Sequence, residues 1–251
     1  MLSFSAYAFR SMGQAHFETA ALAHIQKHFR NHWRVLDCQR LRELARLLQV
    51  RAAAHHITDE RGLYQYLSSG LYLGSGFDHD VSLPWAGQAL GETAGEAMGE
   101  TDHRAERLQD ATLAYLDAVC GRDNQALIAA FGRLRTMLGN VKLTRTPAAE
   151  VPILQMLGLL FPEKFDAVGA ERTHALLQQA VDLARRHEMA SPLAPLYLAC
   201  LMFVLGSGIA EDPMYFWCGD ILRDRSGNAD QRLLSLRSEG VARLGQWLEG
   251  S

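Results

Sequence analysis

The chain is poor in the residues that would announce a chemistry. Its 251 residues include only four cysteines, Cys38, Cys120, Cys200 and Cys218, and no two form a CxxC pair. Thiols this few and this scattered exclude a disulfide framework and read as reduced, mostly buried side chains of a cytoplasmic protein. An excess of one charge is also missing. Twenty-five Lys and Arg stand against 28 Asp and Glu, a net charge of −3, so charge points to no nucleic acid. No GxSxG nucleophile motif occurs, and the GSG strings at 74–76 and 206–208 lack the lysine of a phosphate-binding loop. The opening MLSFSAYAFRSMGQAHFE has no basic stretch followed by a long apolar run, so export by a secretory signal is not expected. Alternating strand patterns and Asn-Gly hairpins are absent as well. What the chain does have is a 48% hydrophobic content, enough to bury a sizeable core and to exclude general disorder.

It also has an internal echo. Shifted by 132 positions without a gap, LGSGFDHDVSLPWAGQAL (73–90) falls on LGSGIAEDPMYFWCGDIL (205–222), with eight of 18 positions identical. From Phe29 to Leu90 the same shift gives 13 identities in 62 positions, where average residue usage gives roughly four. A repeated supersecondary unit is the reading. The expected organisation is a first helical repeat over 1–90, an acidic loop and helical hairpin over 91–142, and a second repeat with a closing helix over 143–251.

Each repeat reads as helices. Apolar residues at helical spacing over 12–29, and VPILQMLGLL before Phe161 and Pro162, predict two helices that stop near the Phe; Pro162 disfavours helix in the residue before it. Segments 36–55 and 168–187 are rich in strong helix formers. Third helices are expected after Thr58 with Arg61 and after Ser191-Pro192, an N-cap followed by an N1 proline. The apolar run 193–210 resembles a membrane span, but its counterpart carries Gln65, Ser68 and Ser69, which suits a central core helix; no membrane span is expected. Segments 107–120 and 124–138 form a hairpin through GRD at 121–123, and 230–248 closes the chain. The predicted fold class is all-α.

The shared loop tempts a catalytic reading through Asp78, His79 and Asp80. In the second repeat Asp78 and His79 become Ala210 and Glu211, and only Asp80 persists, as Asp212. A structural corner is therefore expected from Gly74, Gly76, Asp80 and Trp85, and again from Gly206, Gly208, Asp212 and Trp217. Gly74 or Gly76 would end the preceding helix in a left-handed conformation, Asp212 before Pro213 would cap a short helix, and each Trp would bury its ring. Phe77, Asp78, His79 and Asp80 remain a possible binding loop, with an enzyme site there as one alternative. His24, His28 and His32 have HxxxH spacing, but their counterparts Met156, Leu160 and Lys164 make no nitrogen site, so no metal or other cofactor is assigned. His55 and His187 fit favourable helix C-termini. Arg30, Arg34, Arg40, Arg42, Arg46 and Arg51 are interleaved with Asp37 and Glu43, as on a solvated helix face.

The strings LGSGFDHDVSLPWA and LMFVLGSGIAEDPMYFW, with HHITDE at 55–60, resemble bacterial helical proteins associated with type VI secretion gene clusters. The resemblance covers about 30 residues of each repeat. It implies a cytoplasmic accessory role beside secreted toxins, either an effector chaperone or adaptor or an immunity protein, and it transfers no catalytic residue. The sequence is accordingly read as a non-enzymatic binder of a protein partner, a secreted toxin or secretion component. A chaperone would offer an apolar groove between the halves and an immunity protein a charged patch.

Overall fold

Capping residues and the buried Phe29 decide where the first elements begin and end. The computed structural model describes residues 6–91, 102–140 and 150–249. Helix α1 (Ala6–His28) stops before Phe29 and α2 (Arg30–Val35) starts after it. Asp37 accepts the Arg40 amide at 2.8 Å to open α3 (Cys38–Ala54), and Asp59 accepts the Gly62 amide at 2.8 Å to open α4 (Glu60–Leu73). A 3₁₀ turn (Phe77–His79) leads to α5 (Pro84–Leu90), followed by the hairpin of α6 (Asp102–Cys120) and α7 (Gln125–Asn140). The chain continues through α8 (Glu150–Leu160), α9 (Pro162–Val168), α10 (Ala170–Arg186) and α11 (Ala194–Leu205). A further 3₁₀ turn (Pro213–Tyr215), α12 (Phe216–Arg223) and α13 (Ala229–Leu248) complete it. No strand occurs among the described residues, and the fold is all-α. Most of the acidic loop expected at 91–105 lies outside the described residues.

Several boundaries recur 132 residues apart: the ends of α1 and α8, the starts of α2 and α9, both ends of α3 and α10, the ends of α4 and α11, and the starts of α5 and α12. The physical causes recur too. Phe29 and Phe161 are both buried at the break, and the next helix begins from their carbonyls. His55 and His187 end their helices with nearly the same backbone, φ −95° and −96°. The carbonyls they expose are taken by buried arginines, Arg104 at 3.2 Å and Arg232 at 2.9 Å.

One expected start differs. Ser191-Pro192 does not open α11; the Ser191 carbonyl accepts the Ala194 amide at 3.0 Å in a turn, and the helix starts at Ala194. Thr58 likewise gives way to Asp59, whose carboxylate is the stronger acceptor.

The 1–90 and 143–251 stretches interlock. Helix α2 packs on α13, where the His32 ring meets Trp247 edge-on at 4.8 Å and Arg34 donates to the Gln246 carbonyl at 2.7 Å. Helix α3 packs on the Pro213–Tyr215 turn, and α6 of the intervening hairpin packs on α9. Arg40 from α3 and Arg243 from α13 both lie over the Phe216 ring, at 4.3 and 5.2 Å. At the centre every residue of α11 except Pro195 is buried. Its 12 residues span only about 18 Å, and no helix among the described residues is long and apolar enough to cross a membrane.

Candidate functional site

The two corners meet. Gly74 ends α4 at φ 95°, ψ 150° and Gly206 ends α11 at φ 106°, ψ 150°, an extended mirror-image conformation open in practice only to glycine. This replaces the compact left-handed turn expected from sequence, and Gly76, at φ −97°, takes no part in it. The second requirement for glycine is closeness. A Cβ on Gly74 would lie 3.0 Å from the Leu205 carbonyl oxygen, and one on Gly206 would lie 2.9 Å from that of Leu73. Gly76 and Gly208 are also in contact, each Cβ position 3.2–3.3 Å from the other's Cα.

Across this contact the corners exchange carboxylates. Asp212 Oδ2 accepts the Ser75 amide at 2.6 Å, and Asp80 Oδ2 accepts the Ser207 amide at 2.9 Å. The remaining oxygens serve their own turns: Asp212 Oδ1 takes the Met214 amide at 2.8 Å, and Asp80 Oδ1 takes the Ser82 amide at 2.8 Å and hydroxyl at 2.6 Å. Both carboxylates are buried. Burial raises the Asp212 carboxyl above its ordinary pKa against the lowering by the Ser75 and Met214 amides. The Asp212-Pro213 cap is as expected, whereas the second job of each aspartate, reaching into the other corner, is a tie that sequence reading missed. Trp217 is buried, while Trp85 is half-buried against Tyr115, its indole nitrogen without a partner among the described residues.

Asp78 belongs to the first corner only. Its carboxylate receives the Tyr66 hydroxyl at 2.8 Å, Arg51 at 2.8 Å and His55 Nε2 at 3.3 Å, with His79 Nε2 3.6 Å away. Burial pushes its pKa upward, but Tyr66, Arg51, His79 and His55 outweigh that and hold it below the ordinary value. A carboxylate held so firmly in its ionised form is a poor proton acceptor and a good anchor. Of the expected binding loop, Phe77, Asp78 and Asp80 are buried and only His79 faces outward, with three quarters of its side chain exposed. The loop thus presents one side chain because the other three point inward to apolar and ionic partners. A signal for this cluster was present in the sequence: at the 132 shift Arg51, Tyr66 and Asp78 become Leu183, Leu198 and Ala210. Three polar partners are exchanged together for three apolar ones.

The meeting corners floor a cleft of about 770 Å³, with Arg51 and His79 on one side and Arg185, Arg186, Glu211 and Arg223 on the other. Arg185 and Arg223 are tied to Asp182 and Asp220 within their own helices. A second cavity of about 590 Å³ lies between the stretches and is walled by side chains such as Leu71, Leu83, Phe161 and Leu205. The three spaced histidines do not converge: His24 and His28 face each other at 4.8 Å, but His32, beyond the break, bonds the Leu71 carbonyl at 3.0 Å. Among the described residues no group of three or more His, Cys, Asp or Glu could hold a metal.

Comparisons with protein-family models, curated proteins and solved structures each return no match.

Proposed function

We propose that the chain is a non-enzymatic protein-binding accessory factor, and that its partner is a secreted toxin or a component of a type VI secretion system, which it serves as chaperone or adaptor. The observation that carries the reading is the cleft over the crossed aspartates. Its cationic side chains come from both stretches, and its floor is held by buried hydrogen bonds, so a partner meets a preformed surface and little binding energy is lost to ordering. With four arginines against Asp182 and Glu211 on its walls, the cleft suits an acidic segment of the partner. The recurrence of helix boundaries at 132 residues supports taking the two stretches as repeats, and the sequence resemblance supports a place in the cytoplasm beside secretion genes.

The immunity reading gains from the same cleft, since a charged patch is what would cover a toxin's catalytic surface. A pull-down from native extract separates the two. The expected partner is a secretion-associated protein, retained by the wild type and lost with Arg186→Glu, and truncation of that partner maps the contact. Binding through a targeting region supports the chaperone or adaptor role, and binding through a catalytic domain supports immunity. A partner unrelated to toxins or secretion, or one indifferent to Arg186→Glu, contradicts the proposal. The alternative of an enzyme at Asp78, His79 and Asp80 requires His79→Ala to abolish a turnover.

A further inference from the structure

We propose that the cavity of about 590 Å³ between the two stretches is a binding site for a small amphipathic carboxylate, its headgroup on Lys164 and its apolar body among Leu71, Leu83, Phe161 and Leu205. This site is separate from the arginine-lined cleft. Lys164 sits on α9, 7% exposed, and lines the cavity. Among the described residues its ammonium has no hydrogen-bond acceptor or ion-pair partner; it lies 5.3 Å from the centroid of the Phe203 ring.

Burial lowers the Lys164 pKa, and Asp80 opposes that only from a distance. Asp80 is not free to serve as its counter-ion, because Ser207 and Ser82 already use both its oxygens. The Cys120 thiol, also in the wall, is pushed up to about 11 by burial and stays neutral. The Lys164 ammonium therefore lines the cavity with no paired anion among the described residues, an arrangement that costs stability unless something fills it. One ammonium balances the single charge of a carboxylate, whereas a phosphate dianion would leave a buried charge uncompensated. The volume lies within the range of about 300–1,000 Å³ typical of small-molecule sites. Exposed Lys27 and Arg30 outnumber Asp123 at the rim and favour entry of an anion.

The test uses the intact chain with octanoate and octanol as probes, measured by calorimetry and by the shift in melting temperature. The wild type is expected to bind octanoate saturably and octanol at least about tenfold more weakly, since a charge-assisted hydrogen bond contributes that much or more. Lys164→Met is expected to lose octanoate binding about tenfold or more while keeping octanol. The octanoate and octanol comparison needs no variant, so it stands even if Lys164→Met folds poorly. Equal binding of both probes, no saturable binding of octanoate, or octanoate binding retained in a folded Lys164→Met would each overturn the proposal.

Discussion

Replacing Gly206 with alanine separates the two reasons for glycine at the corner. Gly206 and Gly169 have similar backbones, φ 106°, ψ 150° and φ 81°, ψ 160°. An alanine at either must accept a conformation that costs about 1–3 kcal/mol for a residue with a side chain. Their surroundings differ. A Cβ at Gly206 would stand 2.9 Å from the Leu73 carbonyl oxygen, whereas nothing lies within 4 Å of one at Gly169. Close contact with a fixed backbone oxygen adds an overpacking cost of about 1–3 kcal/mol. Gly169→Ala is thus expected to lose about 2 kcal/mol and Gly206→Ala about 4, out of a total stability of about 5–15. Urea unfolding followed by circular dichroism reads the difference as separate midpoints with an unchanged slope. Gly74→Ala, whose Cβ would lie 3.0 Å from the Leu205 oxygen, should match Gly206→Ala. Equal losses at Gly169 and Gly206 would refute the claim that the corners press against each other.

Two further expectations concern buried polar groups. Asp78→Ala leaves the Tyr66 hydroxyl and Arg51 without their acceptor and should cost about 3 kcal/mol, against about 1 for Tyr66→Phe; chemical denaturation measures both. Because the folded pKa of Asp78 lies below its ordinary value, its stabilisation is present above the unfolded pKa and disappears as pH falls through the folded one. Asp78→Asn should remove that acid limb from the stability profile. His32 is held neutral down to about 4, chiefly by burial and against the opposing bond to the Leu71 carbonyl. The unfolded chain protonates it near the ordinary histidine value, so stability should fall between about pH 6.5 and 4 by on the order of 3 kcal/mol. A folded variant His32→Gln that keeps the same decline would contradict this.

The helical class and the breaks at Phe29 and Phe161 were legible because periodicity, helix-forming composition and a proline act locally. That a glycine ends α4 was legible too, but the sequence left Gly74 and Gly76 both open, and the extended mirror-image backbone at Gly74 in place of a left-handed turn was not legible. That the two corners touch was not legible. An identity at a fixed shift says that a local structure recurs, and it is silent on whether one copy lies against the other. Ser75 and Asp212 are 137 residues apart, and no spacing rule links them. The Asp78 cluster lay between these cases. Arg51 and His55 are one helical turn apart, and the joint change of Arg51, Tyr66 and Asp78 to Leu183, Leu198 and Ala210 carried the signal, but only when read as a set. Lys164 was seen in the sequence merely as the residue opposite His32; its burial depends on α6 packing over α9, a long-range contact that composition cannot supply.

Amide hydrogen exchange at Ser75 and Ser207 tests most directly whether the crossed aspartates lock the molecule together. Both amides donate to a carboxylate of the opposite corner. If these bonds break only when the chain unfolds, the two amides should exchange with the same opening free energy as the buried amides of α11. Exchange by local opening, orders of magnitude faster than in α11 and at different rates for the two serines, would mean that the halves part without unfolding and that the lock is absent.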